Sequence, residues 1–242
     1  MKLFLRDVLV RALSCLIDLL LMSLLARGYP REVDALGRHV RHPELKELIR
    51  RFLSEQLNGV DGFQVELDDC PEFSGSVSVY HSAVSTFFAP SDESGIGGMR
   101  QERIRATPTW FNGRGRYDTI LLEADPQVEG FAGLHVARVL MFLSFTHARM
   151  RYPCALVHWY SAVGTDPCEL TGMWKVQPDF KHDGTPYKAI IHTESILRAT
   201  HLMPVYGVQF LAEDFNFEDT LDTFRLLYVN KFIDHHANEI VF

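Results

Sequence analysis

The chain has 242 residues, of which 47% are hydrophobic and 23% charged, a composition typical of one or two globular domains with a buried core. Its formal net charge of -7 argues against strong, sequence-independent binding to nucleic acid, although it leaves room for a local basic patch. The four cysteines are scattered and form no CxxC pair, which is typical of buried, reduced thiols in an intracellular protein.

The first apolar stretch, Ala12 to Ala26, reads ALSCLIDLLLMSLLA and follows three basic residues, the order found in a signal peptide. Asp18 interrupts it, and it is shorter than the ~20 residues that cross a bilayer. Its leucines recur on one helical stripe, so the pattern favours an amphipathic helix over a signal peptide. Gly28 and Pro30 are expected to end this helix.

A second helix is predicted from Pro43 to Leu57, because proline suits the first helical position and apolar residues recur at helical spacing after it. Asn58 and Gly59 are expected to end it. Residues 1–59 therefore form a predicted N-terminal helical segment. Residues 60–242 are predicted to form a β-barrel domain.

After the second predicted helix, hydrophobic residues recur at every second position. Phe63, Val65 and Leu67 alternate with polar residues, which predicts a strand, and Gly75 to Phe88 predicts one strand or a bent pair. Ala89 to Arg116 is the least regular stretch and is predicted to be a long loop with glycine hinges. Loops of this length are usually functional or mobile.

The centre of the chain is rich in β-branched and aromatic residues. The nearly continuous apolar run Val136 to Phe145 predicts a central strand, and Cys154 to Tyr160 is expected to pair back on it as a hairpin. Further strands are predicted at Tyr117–Ala124, Met173–Val176, Tyr187–His192 and Met203–Tyr206, with a helical turn over Glu194–Ala199. Closing such short strands into a small barrel would remove their edges.

A closing helix is predicted at the C-terminus, from Glu218 to Glu239. Asn216 is a suitable cap, and four apolar residues recur at helical spacing: Leu221, Phe224, Tyr228 and Phe232. The predicted fold class is therefore α+β, with N-terminal helices, a small and mostly antiparallel β-barrel, and a C-terminal helix.

The predicted loop carries a basic cluster. Residues 95–116 include five arginines and a single acidic residue, Glu102, and aromatic residues lie among the arginines. Arginine beside aromatic residues can hold phosphates and stack bases. The candidate nucleic-acid-binding residues are Arg100, Arg103, Arg105, Trp110, Arg114 and Arg116. The alternative is that these arginines pair with the surplus acids of the chain and that Trp110 plugs the barrel.

Aromatic residues on or beside the barrel strands form a second candidate site. Such rings can line a pocket that holds a peptide or a methylated lysine. The candidate pocket residues are Trp159, Tyr160, Trp174 and Tyr206. The alternative is that the rings simply fill the core, because aromatic residues supply much of the buried area of a small domain.

Catalytic motifs are missing from the sequence. It has no GxSxG elbow, no HExxH and no P-loop lysine after Gly95-Ile96-Gly97-Gly98. The close histidine pairs lack the companion ligands of a zinc site, so neither a metal nor another cofactor is expected. An alternative function, a metal-dependent nuclease, would need carboxylates such as Asp68, Asp69 and Glu72 to be brought together by the fold.

Four segments and the stretch that follows them carry a family resemblance. They are YHSAVSTFFAPSDESGIGGMRQERIRATPTW, VARVLMFLSFTHARMRYPCALVHWY, TGMWKVQP and IIHTESILRATHLMPVYG, followed by FRLLYVNKFIDHHANEIVF. In length, order and spacing, residues 26–242 resemble the C-terminal region of the Plavaka-type transposase proteins of fungal, CACTA-like transposons. Residues 1–25 fall outside the resemblance, which suggests a different exon or gene-model start.

The resemblance implies a limited set of properties. The catalytic RNase-H-like domain of these transposases lies upstream of the matched region, so no catalytic carboxylate is carried over to this chain. The resemblance implies a non-catalytic accessory module, similar in its barrel to Src-homology-3-like and bromo-adjacent-homology folds, that acts in the nucleus. Its expected partner is DNA or another protein, with no membrane and no small-molecule cofactor. A transposon relic without activity is a further alternative.

Overall fold

The computed structural model describes residues 26–59, 61–89, 97–207 and 210–241. Within these residues it has an α+β fold, in which four helices accompany a curved, nearly closed antiparallel sheet. The predicted fold class, a small and mostly antiparallel barrel with helices, is confirmed. The amphipathic helix predicted over residues 12–26 lies outside the described residues except for Ala26. None of the described helices has the length and apolar character to cross a membrane.

From Ala26 onwards, two helices precede the sheet. Helix α1, Val33–His39, begins after Glu32, whose carboxylate accepts hydrogen bonds from two backbone N–H groups of its first turn at 2.8 and 2.7 Å. Helix α2, Leu45–Asn58, starts two residues later than predicted. It ends at Gly59, whose backbone is left-handed at φ 66°, a conformation that glycine adopts without a Cβ clash. The predicted second helix and its stop signal are therefore confirmed.

Within the described residues, twelve strands follow in chain order. They are β1 (Val77–Tyr80), β2 (Ser82–Phe88), β3 (Met99–Thr107), β4 (Arg116–Tyr117), β5 (Thr119–Glu123), β6 (Leu134–His147), β7 (Met150–Ala162), β8 (Lys175–Pro178), β9 (Lys188–His192), β10 (Ile196–Thr200), β11 (Leu202–Pro204) and β12 (Leu227–Val229). The main sheet has nine strands in the order β10-β5-β6-β7-β8-β12-β11, with β1 on β6 and β9 on β7. Strands β2, β3 and β4 form a second sheet.

The hairpin of β6 and β7 is the centre of the main sheet, as the apolar sequence of both strands predicts. The two strands pair from Val136 with Tyr160 to His147 with Met150, with a register shift between Val139 and Met141. Because side chains alternate along a strand, the hairpin has two apolar faces, and both are covered. Helices α1 and α2 pack on one end of one face, the C-terminal elements pack on the other end of it, and β2 and β3 cover the opposite face.

The predicted strand at Phe63, Val65 and Leu67 is wrong. The chain turns at Asp61, whose carboxylate accepts a hydrogen bond from the Phe63 N–H at 2.9 Å. The guanidinium group of Arg51 on α2 then donates to the carbonyls of Gly62 and Val65, at 2.9 and 3.2 Å. These hydrogen bonds to a helix side chain take the place of a ladder to a neighbouring strand.

The prediction of one long loop from Ala89 to Arg116 is wrong, because strand β3, Met99–Thr107, lies within it. Strand β3 pairs with β2 along its length, from Met99 opposite Phe88 to Arg105 opposite Ser82. Residues 90–96 of the predicted loop lie outside the described residues. Polar residues dominate β3 and hide it in the sequence, but Ile104 and Ala106 are buried against the main sheet.

The predicted closing helix from Glu218 to Glu239 is also wrong. Asn216 does act as a cap, because its side chain accepts a hydrogen bond from the Glu218 N–H at 3.0 Å, but the helical turn there is short. Helix α3, Thr220–Thr223, is followed by strand β12, which pairs with both β8 and β11, and then by helix α4, His235–Val241. Burial of Leu227 and Val229 on one face of β12 favours the extended chain over a helix.

Candidate binding grooves

A groove of about 940 Å³, here called the aromatic groove, lies among α2, β6, β7 and β9. Three of the four residues predicted for an aromatic pocket, Trp159, Tyr160 and Trp174, line it. The fourth, Tyr206, is not among the lining residues: it is 64% exposed and packs edge-on against Phe224, with 5.2 Å between ring centroids. The structure therefore brings three predicted residues together and separates Tyr206 from them.

The three rings differ in how much surface they offer. Tyr160 is buried in the core beneath the groove, so the alternative that the rings fill the core holds for this residue. Trp159 and Trp174 are only half-buried. Trp174 stacks on Phe131 at 4.9 Å between ring centroids, and Trp159 packs edge-on against His135 at 5.7 Å. These contacts hold both indoles in place while part of each ring faces the groove.

Further aromatic residues of the groove were missed from the sequence. Phe131 lies in a 3-10 turn, Gly130–Gly133, where only a connection was predicted, and Phe63 lies in the turn that was predicted to be a strand. Phe63 packs against Tyr187, with ring centroids 5.3 Å apart, and the Arg51 guanidinium lies 5.2 Å from the Phe63 ring centroid. These residues come from distant parts of the chain, so no local pattern unites them.

The wall of the aromatic groove is acidic. It includes the carboxylates of Glu55, Asp61 and Asp179, whereas no lysine or arginine is present among its described lining residues. Burial, and then the charge of Asp61, raise the pKa of Glu55. Aromatic faces attract cations through their quadrupole, and neighbouring carboxylates add to that attraction. The groove is thus suited chemically to a positively charged group on an apolar or aromatic body.

A second groove, of about 730 Å³, is called the arginine groove. Strands β3, β4, β6 and β10 and the residues around α3 form it. Five of the six predicted nucleic-acid-binding residues line it: Arg100, Arg103, Trp110, Arg114 and Arg116. The sixth, Arg105, lies beside them, with its guanidinium 4.5 Å from the Trp110 ring centroid; Arg116 lies 5.4 Å from the same centroid. Two lining arginines, Arg138 and Arg198, were missed because they lie far away in sequence.

Acids accompany these arginines, as the alternative interpretation of the sequence predicted. Arg116 donates to Asp118 at 2.7 Å, and Arg138 donates to Asp222 at 2.6 Å. Arg114 pairs with Asp219 and, at 3.5 Å, with Glu218. Trp110, by contrast, belongs to none of the three core clusters of the described residues, so the prediction that it plugs the barrel is wrong. The indole is instead part of the groove wall.

Arg198 is the centre of a buried ionic network beneath this groove. Its side chain is only 4% exposed, and its guanidinium donates to both carboxylate oxygens of Asp234, at 2.9 and 2.6 Å. Glu102 lies 3.6 Å away, and the ring of Phe87 packs 4.7 Å from the guanidinium carbon. Asp234 also accepts the N–H of Ala237 at 2.7 Å and caps α4.

This network makes stability depend on pH. Burial opposes ionisation of Asp234, but the hydrogen bonds from Arg198 and Ala237 outweigh it and lower the pKa of the carboxyl to about 2. A lowered folded-state pKa contributes stability above the unfolded-state pKa of about 4, and that stability is lost as the pH falls towards 2. We expect the free energy of unfolding to fall by on the order of 2 kcal/mol more between pH 5 and 2 in the natural protein than in an Asp234→Asn variant. Urea titrations at stepped pH measure the difference, and equal slopes in the two proteins would contradict it.

The structure assembles no metal site from its described residues: no group of three or more histidine, cysteine, aspartate or glutamate side chains could hold an ion. The carboxylates considered for a nuclease are among these residues. Asp68 and Asp69 lie in an exposed 3-10 turn, and Glu72 pairs with Arg50 at 2.9 Å. They therefore do not form the ligand set that the nuclease alternative requires.

Comparison with known proteins found no match: no family model, no curated protein and no solved structure is similar to this chain. The resemblance to the transposase C-terminal region stays a prediction.

Proposed function

We propose that this protein is a non-catalytic binding module, and that it binds a segment of another protein in the aromatic groove. The observation that supports this function is the combination of half-buried indoles with three carboxylates, without a lysine or arginine in the described lining. The groove has the volume of a ligand site and is open at the surface. Phosphate would be repelled by the carboxylates, so a protein ligand fits better than a nucleic acid.

The ligand chemistry follows from the same residues. Trp159 and Trp174 offer apolar faces, and Glu55 lies in the same groove, where burial, and then repulsion from the charge of Asp61, raise its pKa. A cation bound between them would relieve this repulsion and pack against the rings. We therefore propose a partner segment with a lysine, methylated or not, as its central residue. In the wider setting that the family resemblance implies, such a module would assemble a transposase-derived complex in the nucleus.

An array of immobilised peptides tests the proposal. Each sequence is made in matched copies with lysine, trimethyllysine or the neutral isostere norleucine at its central position. We expect the purified chain to prefer both cationic copies. Trp159→Ala and Trp174→Ala should weaken the strongest binders by about 30-fold, the effect of losing a central aromatic anchor. Trp110→Ala is the matched control, because this third tryptophan lies in the other groove.

The charge requirement is tested separately. Glu55→Gln combined with Asp61→Asn should reduce the preference for lysine over norleucine while binding of the norleucine copies is retained. Binding that responds to Trp110→Ala but not to Trp159→Ala or Trp174→Ala would contradict the assignment to this groove. The absence of any bound peptide would contradict the proposed function and favour the relic alternative.

A further inference from the structure

Several ion pairs of the arginine groove involve the same short segment of the chain. Three of the acids come from one short acidic segment, residues 213–222, with the sequence EDFNFEDTLD. Glu218 and Asp219 pair with Arg114, and Asp222 pairs with Arg138. The segment therefore lies along the groove and contacts arginines that belong to two different strands or loops.

Charge in the groove is balanced only when this segment is in place. Six arginines line the groove, and the walls outside the segment supply three carboxylates: Glu102, Asp118 and Asp234. The acidic segment adds Glu218 to the lining and holds Asp219 and Asp222 beside it, so that these three carboxylates offset the remaining charge of the lining arginines. Without them, the same surface would be strongly positive within a chain whose net charge is negative.

The ion pairs of the acidic segment are weak, although its Leu221 packs against the core. The side chains of Asp219 and Asp222 are 44% and 64% exposed, and exposed ion pairs contribute little to stability because water and salt screen them. Phe217, within the segment, is largely exposed instead of packing into the core. On the groove side, by contrast, Arg138 is mostly buried, and its Nε has no hydrogen-bond partner among the described groups.

Aromatic residues beside the groove complete the chemistry. The guanidinium groups of Arg105 and Arg116 both lie close to the Trp110 ring. Phe111 packs edge-on against Trp110, with 4.7 Å between ring centroids, and is 88% exposed. An exposed ring next to arginines is the arrangement by which proteins stack an unpaired base while holding its phosphates. Carboxylates of the acidic segment occupy the positions that phosphates would take.

We propose that the arginine groove is a binding site for single-stranded nucleic acid, and that the acidic segment closes it as an intramolecular competitor. A strand whose phosphates displace Glu218, Asp219 and Asp222 would pair with Arg114 and Arg138 and stack a base on Phe111. Binding of the strand exchanges carboxylate–arginine ion pairs for phosphate–arginine ion pairs. Occupancy of the groove by the strand therefore depends on the salt concentration and on the length of the strand. This site is separate from the aromatic groove and does not depend on the function proposed for it.

The test is fluorescence anisotropy with a labelled oligothymidylate of about 12 nucleotides, a length within the range of known single-strand sites. The natural chain should bind weakly at low salt. The variant Glu218→Gln/Asp219→Asn/Asp222→Asn should bind at least tenfold more tightly, and adding Arg114→Ala to it should reverse most of the gain. Thermal melting of each variant shows whether it is folded.

A matched control separates the groove from overall charge. Glu66→Gln/Asp68→Asn/Asp69→Asn changes the net charge by the same amount at an exposed turn away from the groove. If this control gains as much affinity, or if the first variant gains none, the proposal is wrong. Phe111→Ala, added to the variant Glu218→Gln/Asp219→Asn/Asp222→Asn, should weaken the binding of oligothymidylate several-fold and leave the binding of inorganic polyphosphate unaffected. Equal loss for both probes would overturn the assignment to a nucleic acid.

Discussion

Replacing Arg198 by methionine is expected to lower the free energy of unfolding by about 3 kcal/mol, because it leaves two carboxylates in a poorly solvated site without their counterion. Asp234 and Glu102 are only 18% and 19% exposed, and both surround the same guanidinium group. Methionine retains much of the apolar stem that packs on Phe87, so the loss measures the charge. Chemical unfolding at neutral pH, followed by tryptophan fluorescence, measures it.

Arg116→Met is the control for this substitution. Arg116 also pairs with an aspartate, at 2.7 Å, but its side chain is 43% exposed, and exposed pairs contribute about 0–1 kcal/mol. A second arm combines Arg198→Met with Glu102→Gln and Asp234→Asn. Removing the orphaned charges should recover part of the stability that the single variant loses, since neighbouring members of one network are not additive. Equal losses for Arg198→Met and Arg116→Met would show that burial of the network is unimportant.

The network also joins three separate parts of the chain. Strand β3 contributes Glu102, strand β10 contributes Arg198, and the residue that caps helix α4 contributes Asp234. The sequence offers no hint of this arrangement, because the three residues lie 96 and 36 positions apart along the chain. Buried charges are uncommon unless they are paired, and a pairing over such distances becomes visible only once the fold is known.

Local patterns predicted the parts of the fold in which one physical requirement dominates. Helix α2 could be predicted because its apolar spacing, its proline before the first turn and Gly59 after the last turn all agree. The β6–β7 hairpin could be predicted because both of its faces are buried, which requires nearly continuous apolar sequence. The break at His81 likewise divides Gly75–Phe88 into β1 and β2, the bent pair that was one of two alternatives.

Prediction failed where tertiary contacts decide the backbone. The residues Leu221, Phe224 and Tyr228 recur at helical spacing, yet β12 is extended because Leu227 and Val229 fill a space between β8 and β11. Strand β3 resembled a loop because its arginines face a groove instead of the core. In both cases the deciding partner is distant in sequence, so a propensity scale cannot register it.

The two candidate grooves illustrate the same division. The sequence identified Trp159, Tyr160 and Trp174 because they are aromatic residues on or beside predicted strands, and it identified the arginines because they are clustered. It could not identify the acids that define what each groove can bind. Glu55 and Asp61 make the aromatic groove acidic, whereas Asp219 and Asp222 neutralise the arginine groove. Ligand chemistry here is decided by residues that no motif marks.

Replacing Phe142 by alanine is expected to lower the free energy of unfolding by about 3–5 kcal/mol, the range measured for removing a fully buried aromatic ring. Phe142 is 0% exposed on β6, and its core cluster joins the main sheet to β2 and β3 through Ala83 and Ile104. Because native proteins are stable by only about 5–15 kcal/mol, a loss of this size should lower the melting temperature by roughly 6–20 °C.

Phe111→Ala is the matched control, because this ring is exposed and its removal should change the free energy of unfolding by no more than about 0.5 kcal/mol. The comparison also tests how the grooves depend on one another. Strand β3, which carries Arg100 and Arg103, is held on the main sheet by the cluster around Phe142. Phe131 and Trp174 of the aromatic groove belong to or pack on a different core cluster, although Trp159 packs on that of Phe142. Phe142→Ala, added to the variant Glu218→Gln/Asp219→Asn/Asp222→Asn, should therefore weaken oligonucleotide binding at temperatures where peptide binding persists. Parallel loss of both activities, at the temperature of global unfolding, would instead show that the two sheets unfold as one unit.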